Sequence, residues 1–270
     1  MIFPVLDRPA MTEVRIAGAA AQVHWVGAGL RWRYDAVGCP SCDGRIDFDD
    51  AGGWACATGC GFARPELAAR LEMGDDGVAR GVWSDGRIFE IALRLPGRFN
   101  AANALMAAVA AEAHGVAAES ALAAMVAVDE VAGRFTTRAF GPHRARLMLA
   151  KNPAGWSELL DLVARGDAPL VVSINARIAD GADPSWLWDV PFERLGGRPV
   201  VATGDRCRDL SVRLQYAGVD HVLEPDPLSA VARAAEHAHE SGGDGGRDPD
   251  RVIDAIGNYT AFHDLLEVGP

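Results

Sequence analysis

Ala145-Arg146-Leu147-Met148-Leu149-Ala150-Lys151-Asn152-Pro153-Ala154-Gly155-Trp156, continuing through Ser157-Glu158-Leu159-Leu160-Asp161-Leu162-Val163, is the stretch on which the fold assignment turns. Residues 145–150 read as a strand and 156–163 as an amphipathic helix, so Lys151 to Gly155 occupy a strand-to-helix crossing. At such a crossing backbone N–H groups and a helix N-terminus meet, and together they favour an anion. Lys151 is also the only lysine among 26 Lys and Arg residues. Its compact ammonium is a point charge for phosphate or carboxylate, a role that the planar fork of arginine fills differently. The same residues equally describe an ordinary turn beside a solvated lysine.

Outward from this crossing, strand and helix patterns alternate. Strands are expected at 170–175, 199–203, 221–223 and 251–256, and helices at 205–216, 228–239 and 259–266, with a Gly/Asp-rich loop at 241–249. Alternation of this kind builds a parallel sheet with helices on its faces, and ligands lie beyond the strands' carboxyl ends. Three loops at those ends are polar. One holds Lys151 and Asn152, one runs from Asn175 through Asp180, Asp183, Trp186 and Trp188 to Asp189, and one is Gly204-Asp205-Arg206. Solvated acidic loops are common, so the pattern alone leaves function open. The two tryptophans either cap a hydrophobic edge or form a docking surface. The seven histidines show no metal-like spacing.

The N-terminal half carries a different signal. Cys39-Pro40-Ser41-Cys42 is followed by Cys56-Ala57-Thr58-Gly59-Cys60, with Gly44 and Gly61 beside the pairs. Two short cysteine turns supply four thiolates for a tetrahedral zinc ion, with no position left for water, which makes the expected role structural. Two disulfides or four free thiols are the alternatives, and a reducing compartment opposes the first. Three residues separate the second pair where two are commoner. Cys207 stands alone and reads as a small buried apolar residue. Beyond the expected ribbon, at about 36–66, strand patterns at 78–83 and 87–95 flank Ser84-Asp85-Gly86 as a hairpin, and alanine-rich helices follow from Asn100 to about 128.

With 270 residues, 49% of them hydrophobic, the chain can bury one large or two modest cores. A net charge of −11 argues against a nucleic-acid partner. The longest apolar stretch is broken by Glu112, His114 and Glu119, so no transmembrane segment is expected. The first residues lack a basic start and a full apolar core, from which a cytoplasmic location follows.

Five segments resemble one family, MurT, the Mur-ligase-like subunit of the enzyme that amidates the cell-wall precursor lipid II. They are the cysteine pairs with Cys60-Gly61-Phe62-Ala63-Arg64-Pro65; Gly97-Arg98-Phe99-Asn100-Ala101-Ala102-Asn103; Lys151 to Trp156; Asp180 to Asp189; and Arg213 to Gly218. The resemblance implies an α/β fold: a partial Mur-ligase central domain at 1–132 with the four-cysteine zinc ribbon inserted, then a Rossmann-like C-terminal ligase domain at 133–270. It further implies ATP- and Mg-dependent activation of the α-carboxylate of D-glutamate in lipid II. Ammonia from a glutaminase partner, GatD, would then displace phosphate to give D-isoglutamine, at the inner face of the membrane where lipid II resides. An aspartate of the ligase subunit would complete the partner's catalytic triad, and Asp183 is the choice over Asp180 and Asp189. Asn100 and Asn103 match the family's adenine-contacting segment, and Arg134, Lys151 and Asn152 match a hinge and C-terminal motif that closes over nucleotide and substrate.

Two departures stand beside these matches. No Gly-x-x-x-x-Gly-Lys-Ser/Thr occurs in the 270 residues. The expectation is therefore a chain inactive alone, with an N-terminal segment missing. In addition, Thr136 stands where Mur ligases usually have glutamate. A non-catalytic zinc-containing scaffold that binds a glutaminase is the alternative, and a nicotinamide enzyme is disfavoured because no Gly-x-Gly-x-x-Gly follows a strand.

Overall fold

The computed structural model describes residues 2–4, 23–29, 31–50, 52–131, 133–240 and 252–268, so the expected loop at 241–249 lies outside the described residues. The chain forms two compact units, Met1–Asp129 and Glu130–Pro270. Among the described residues no helix is long and apolar enough to cross a membrane.

In the first unit, five strands form one sheet: β1 (Ile2–Pro4), β2 (His24–Gly27), β5 (Ala69–Met73), β6 (Ala79–Trp83) and β7 (Ile88–Glu90). β1, β2 and β5 run parallel, whereas β5, β6 and β7 form an antiparallel meander. Helix α1 (Arg98–Ala113) covers the sheet through Ala104, Leu105, Ala108 and Val109, which pack with Val26, Leu71 and Trp83. Alanines on that face let the helix lie close to the strands, and α2 (Ala118–Met125) adds Leu122 to the same core. β5 carries a period-two pattern, Ala69 and Leu71 inward with Arg70 and Glu72 outward. The expected strand at 87–95 is shorter: β7 stops at Glu90, because its partner β6 begins at Ala79 and the ladder ends there.

Between β2 and β5 lies the small ribbon, β3 (Ile46–Phe48) antiparallel to β4 (Trp54–Cys56). Its own core is Cys39, Ile46, Trp54, Cys56 and Phe62.

The second unit is the sheet expected from the alternation. The strands are β8 (Phe135–Phe140), β9 (His143–Leu149), β10 (Leu170–Ser173), β11 (Val200–Thr203), β12 (His221–Leu223) and β13 (Val252–Gly257), in the order β12-β11-β10-β13-β9-β8. All neighbours are parallel except β8 and β9. Helices α3 (Pro153–Val163), α4 (Cys207–Tyr216), α5 (Pro227–Glu240) and α6 (Tyr259–Val268) connect or follow the strands. Leu147, Val171, Val201 and Ala255 pack with Val231 of α5 and Phe262 of α6, while Trp156 of α3 packs at 5.9 Å from Phe192. Helix α3 begins three residues earlier than the apolar pattern. Asn152 accepts a hydrogen bond from Gly155 N–H at 2.9 Å and Pro153 fills the first helical position, so the cap and not the apolar face sets the start.

The register aligns the carboxyl ends. Ser173 pairs with both Thr203 and Gly257, and Gly257 pairs with Leu149, so β9, β10, β11 and β13 finish at one level. β13, last in the chain, is inserted between β9 and β10, and the residues just beyond these ends form one rim.

Candidate functional site

On that rim, Lys151, Asp180, Trp186, Asn258 and Tyr259 line a cavity of about 250 Å³. The exposed Lys151 ammonium lies 4.7 Å from the centre of the Tyr259 ring, a cation–π contact that orients it without neutralising it. The N-termini of α3 and α6 both lie at the rim and add partial positive charge, while Pro153 carries no N–H and Asn152 and Asp180 take those of Gly155 and Thr260. The geometry therefore suits one anionic group held beside an aromatic wall.

The floor of the rim is a reciprocal pair of buried asparagines. Asn175 N–H donates to Asn258 Oδ1 at 3.0 Å, and Asn258 Nδ2 donates to the Asn175 carbonyl at 2.7 Å. Asn175 Oδ1 accepts from Asp205 N–H at 2.9 Å, which brings the β11–α4 turn against β10. Gly204 makes that approach possible: its φ is +90°, and a Cβ there would sit 2.6 Å from the Ile174 carbonyl oxygen.

The acidic loop divides its carboxylates. Asp180 is consumed by the fold, accepting from Thr260 N–H at 2.9 Å, from the Thr260 hydroxyl and from Arg177 N–H at 3.2 Å, which caps α6. Asp183 is exposed and, among the described residues, accepts from Ser185 alone, at 2.9 Å from the N–H and 2.8 Å from the hydroxyl. Those two donors hold its carboxyl below the usual carboxylate range, so it stays ionised at neutral pH. Its Ser185 bonds also start the 3-10 turn Ser185–Asp189. Within that turn Trp186 lies half-buried, 6.1 Å from Trp156, whereas Trp188 is 55% exposed and meets Tyr216 edge-on at 5.4 Å.

The other sequence-derived candidates fall as follows. Arg134 is exposed at the start of β8, and its carbonyl accepts from Leu149 N–H at 3.0 Å, so it flanks the Lys151 end of β9. Asn152 spends its side-chain oxygen on the α3 cap. Thr136 is buried in β8. Asn100 and Asn103 belong to the first unit; Asn100 Nδ2 donates to the Pro96 carbonyl at 2.7 Å, and Asn103 is exposed on α1. Sequence reasoning did not single out Asn258, Tyr259, Thr260, Arg177 or Asp264. Asn258-Tyr259 carries the same signal as Lys151-Asn152, a polar residue between a strand and a helix.

In the ribbon, the sulfurs of Cys39, Cys42, Cys56 and Cys60 all lie within 4.8 Å of one another. Cys39 and Cys60 are 3.6 Å apart, and Cys42 and Cys56 are 3.5 Å apart. A tetrahedron with Zn–S bonds of about 2.3 Å has S···S edges of about 3.8 Å, so the set fits zinc. The electrostatics agree. The Thr58 hydroxyl, then its backbone N–H, pulls the Cys56 thiol down to about 6, and the same hydroxyl lowers Cys42. Cys60 moves the other way, up to about 11: the Phe62 N–H lowers it, but burial and its three neighbouring sulfurs outweigh that bond. Four sulfurs at this spacing cannot all ionise without a cation among them. Gly44 keeps the space open, since a Cβ there would lie 3.2 and 3.3 Å from two of the sulfurs. Cys207, by contrast, is a buried apolar residue at the start of α4.

Residues 149–262 match the family model for the MurT ligase C-terminal domain. The chain is 28% identical over 241 residues to the lipid II isoglutaminyl synthase (glutamine-hydrolyzing) subunit MurT of Staphylococcus aureus, covering 85% of this chain and 52% of that protein. The corresponding Streptococcus pneumoniae subunit is 28% identical over 219 residues, covering 75% and 48%. The chain thus spans about half the length of the curated relatives it matches. Among solved structures, a pseudomurein peptide ligase type C from Methanothermus fervidus superposes with a TM-score of 0.61 at 16% identity, over 98% of this chain and 56% of that one. MurF from Acinetobacter baumannii superposes with a TM-score of 0.53 at 16% identity, over 98% and 51%. At this identity the two structures establish the fold alone. Residues 149–262 match the MurT ligase C-terminal domain, and the chain is similar to MurT subunits and shares the fold of these two ligase structures.

Proposed function

We propose that this chain is the ligase-side component of a glutamine-dependent amidating enzyme of peptidoglycan synthesis. Its reaction is conversion of the D-glutamate α-carboxylate of lipid II to the amide, with ammonia delivered by a glutaminase partner of the GatD type. The observation that carries the reading is the rim itself, where a solitary ammonium and a carboxylate-bearing loop share the carboxyl ends of one parallel sheet. Lys151 holds an anionic group of the substrate, and the Tyr259 ring keeps its ammonium aimed. Asp183, rather than Asp180, is the carboxylate lent to the partner, because Asp180 is fully engaged with Thr260 and Arg177. Once lent, it would orient a histidine and stabilise its imidazolium.

Zinc in this reading is structural: four thiolates hold it and leave no open position. Its removal acts on the fold of the ribbon and not on a chemical step. Nucleotide chemistry is not assigned to residues of this chain, since the phosphate loop such chemistry needs does not occur in the 270 residues. We expect that the polypeptide alone does not hydrolyse ATP, that it binds a glutaminase of this type, and that it raises the partner's glutamine hydrolysis. Rates of ADP and glutamate formation, with and without partner, test both halves. ATP turnover by the isolated chain, or an unaltered glutaminase rate in a demonstrated complex, would overturn the reading. Work at the cytoplasmic face of the membrane, where lipid II is presented, follows from the proposed substrate.

A second reading is a non-catalytic scaffold that only docks the glutaminase. The exposed pair Trp188 and Tyr216, with Arg213 stacked 5.6 Å from the Trp188 ring, supports it as an aromatic contact surface. Complex formation that survives Asp183→Asn with no change in glutamine hydrolysis favours the scaffold.

A further inference from the structure

A closed ring of hydrogen bonds joins four residues from three elements of the second unit. Arg177 Nε and one terminal nitrogen donate to the two carboxylate oxygens of Asp205 at 2.7 and 3.2 Å, and its other terminal nitrogen donates to Asp264 Oδ1 at 2.8 Å. Asp264 Oδ2 accepts from Asn175 Nδ2 at 2.9 Å, and Asn175 Oδ1 accepts from the Asp205 N–H at 2.9 Å, which completes the circuit. The ring spans the loop after β10, the β11–α4 turn and helix α6. Arg177 also donates its backbone N–H to Asp180, so both its main chain and its side chain bear on the root of the acidic loop. Six residues later comes Asp183.

We propose that Arg177 is a positioning residue: it clamps the root of the 177–189 loop and thereby aims the Asp183 carboxylate at the partner. The proposal rests on the glutaminase reading above. Two features of the geometry support it over a purely stabilising role. The ion pairs are half exposed, with Arg177 at 46% and its partners at 47% and 27%, and such pairs add little to global stability. Their geometry is nonetheless specific, since one planar guanidinium reaches two carboxylates in a bidentate and a single contact. Without it, Asp205 and Asp264 lose their shared cation and the loop root is left with only its Asn175 and Asp180 ties to α6, while Asp183 keeps its local bonds to Ser185.

The test uses the full chain with its glutaminase. Arg177→Gln should lower kcat for glutamine hydrolysis by roughly tenfold or more, as misplacement of a positioned group does, with KM for glutamine unchanged and Tm lowered by no more than about 4 °C. Arg177→Lys, which keeps the charge but loses the fork, should recover only part of kcat. In the chain without partner, amide hydrogen exchange across 176–189 should quicken in Arg177→Gln while β9 and β13 stay protected. Unchanged exchange overturns the clamp. Quickened exchange with unchanged kcat, while Asp183→Asn lowers kcat in the same assay, overturns the positioning role. If Asp183→Asn also leaves kcat unchanged, the partner reading fails and the catalytic half of this proposal with it, and the exchange result alone decides the clamp.

Discussion

Cys56→Ser is expected to leave the chain unable to retain zinc and to melt the ribbon at 36–66. Cys56 is the most buried point of the second cysteine turn, at 7% exposure, and its backbone N–H is already committed to the Phe62 carbonyl at 2.8 Å. Serine supplies a poor zinc ligand at this spacing, and three thiolates remain. The ribbon's own core is five buried residues on a two-stranded sheet, too little to stand alone. Structural zinc contributes on the order of 10–16 kcal/mol in small domains, which is folding free energy for this segment. Metal content by native mass spectrometry should fall from one zinc per chain to none, and amide protection should vanish from 36–66. Acid should mimic the substitution, because each ligand must be a thiolate and zinc binding releases protons. Retention of one zinc per chain in Cys56→Ser would remove the four-thiolate assignment.

Asp183→Asn is expected to leave the fold and any bound zinc intact while lowering the partner's glutamine hydrolysis by up to about ten-thousandfold, the loss seen when the orienting carboxylate of a nucleophile–histidine pair is made an amide. Asparagine preserves an acceptor for the Ser185 N–H, so the 3-10 turn survives. What it loses is the negative charge and the obligate acceptor that fix the tautomer of a histidine. The wild-type carboxyl lies below its usual range because the Ser185 N–H and hydroxyl bind its ionised form. A depressed carboxyl contributes fully above its unperturbed pKa and loses its effect only as pH falls through the lowered value, so Asp183 itself should impose no acid limb on activity near neutrality. Unchanged glutamine hydrolysis in the complex would take Asp183 out of the partner's triad.

The alternation of the C-terminal half was legible because its central strands are buried on both sides and read as continuous apolar runs: Leu170–Ser173 and Val200–Thr203 are wholly buried. β8 escaped, since Thr136, Thr137 and Arg138 interrupt its apolar ends and it lies at a sheet edge, where pairing and not burial keeps the strand. β5 carried a readable alternation, but its outward arginine and glutamate blend into the polar stretch that follows. The clustering of the four cysteines was legible because two short cysteine turns on one small hairpin bring their sulfurs together. The ring of Asn175, Arg177, Asp205 and Asp264 had no such signature: its members are up to 89 residues apart, and only the parallel register brings them together. Asp180 and Asp183 look interchangeable in sequence. Their difference comes from Thr260, which reaches across 80 residues to occupy one and not the other.

One measurement bears most directly on the rim as an anion-binding site. Lysine-selective isotope labelling gives a single side-chain resonance, because Lys151 is the only lysine in the chain. Under titration with pyrophosphate, and separately with glutamate, that resonance should move saturably, with the Tyr259 ring signals moving at the same midpoint, and the response should be lost at low affinity in Tyr259→Ala. A Lys151 signal that stays fixed, or drifts linearly with ionic strength alone, would contradict the account.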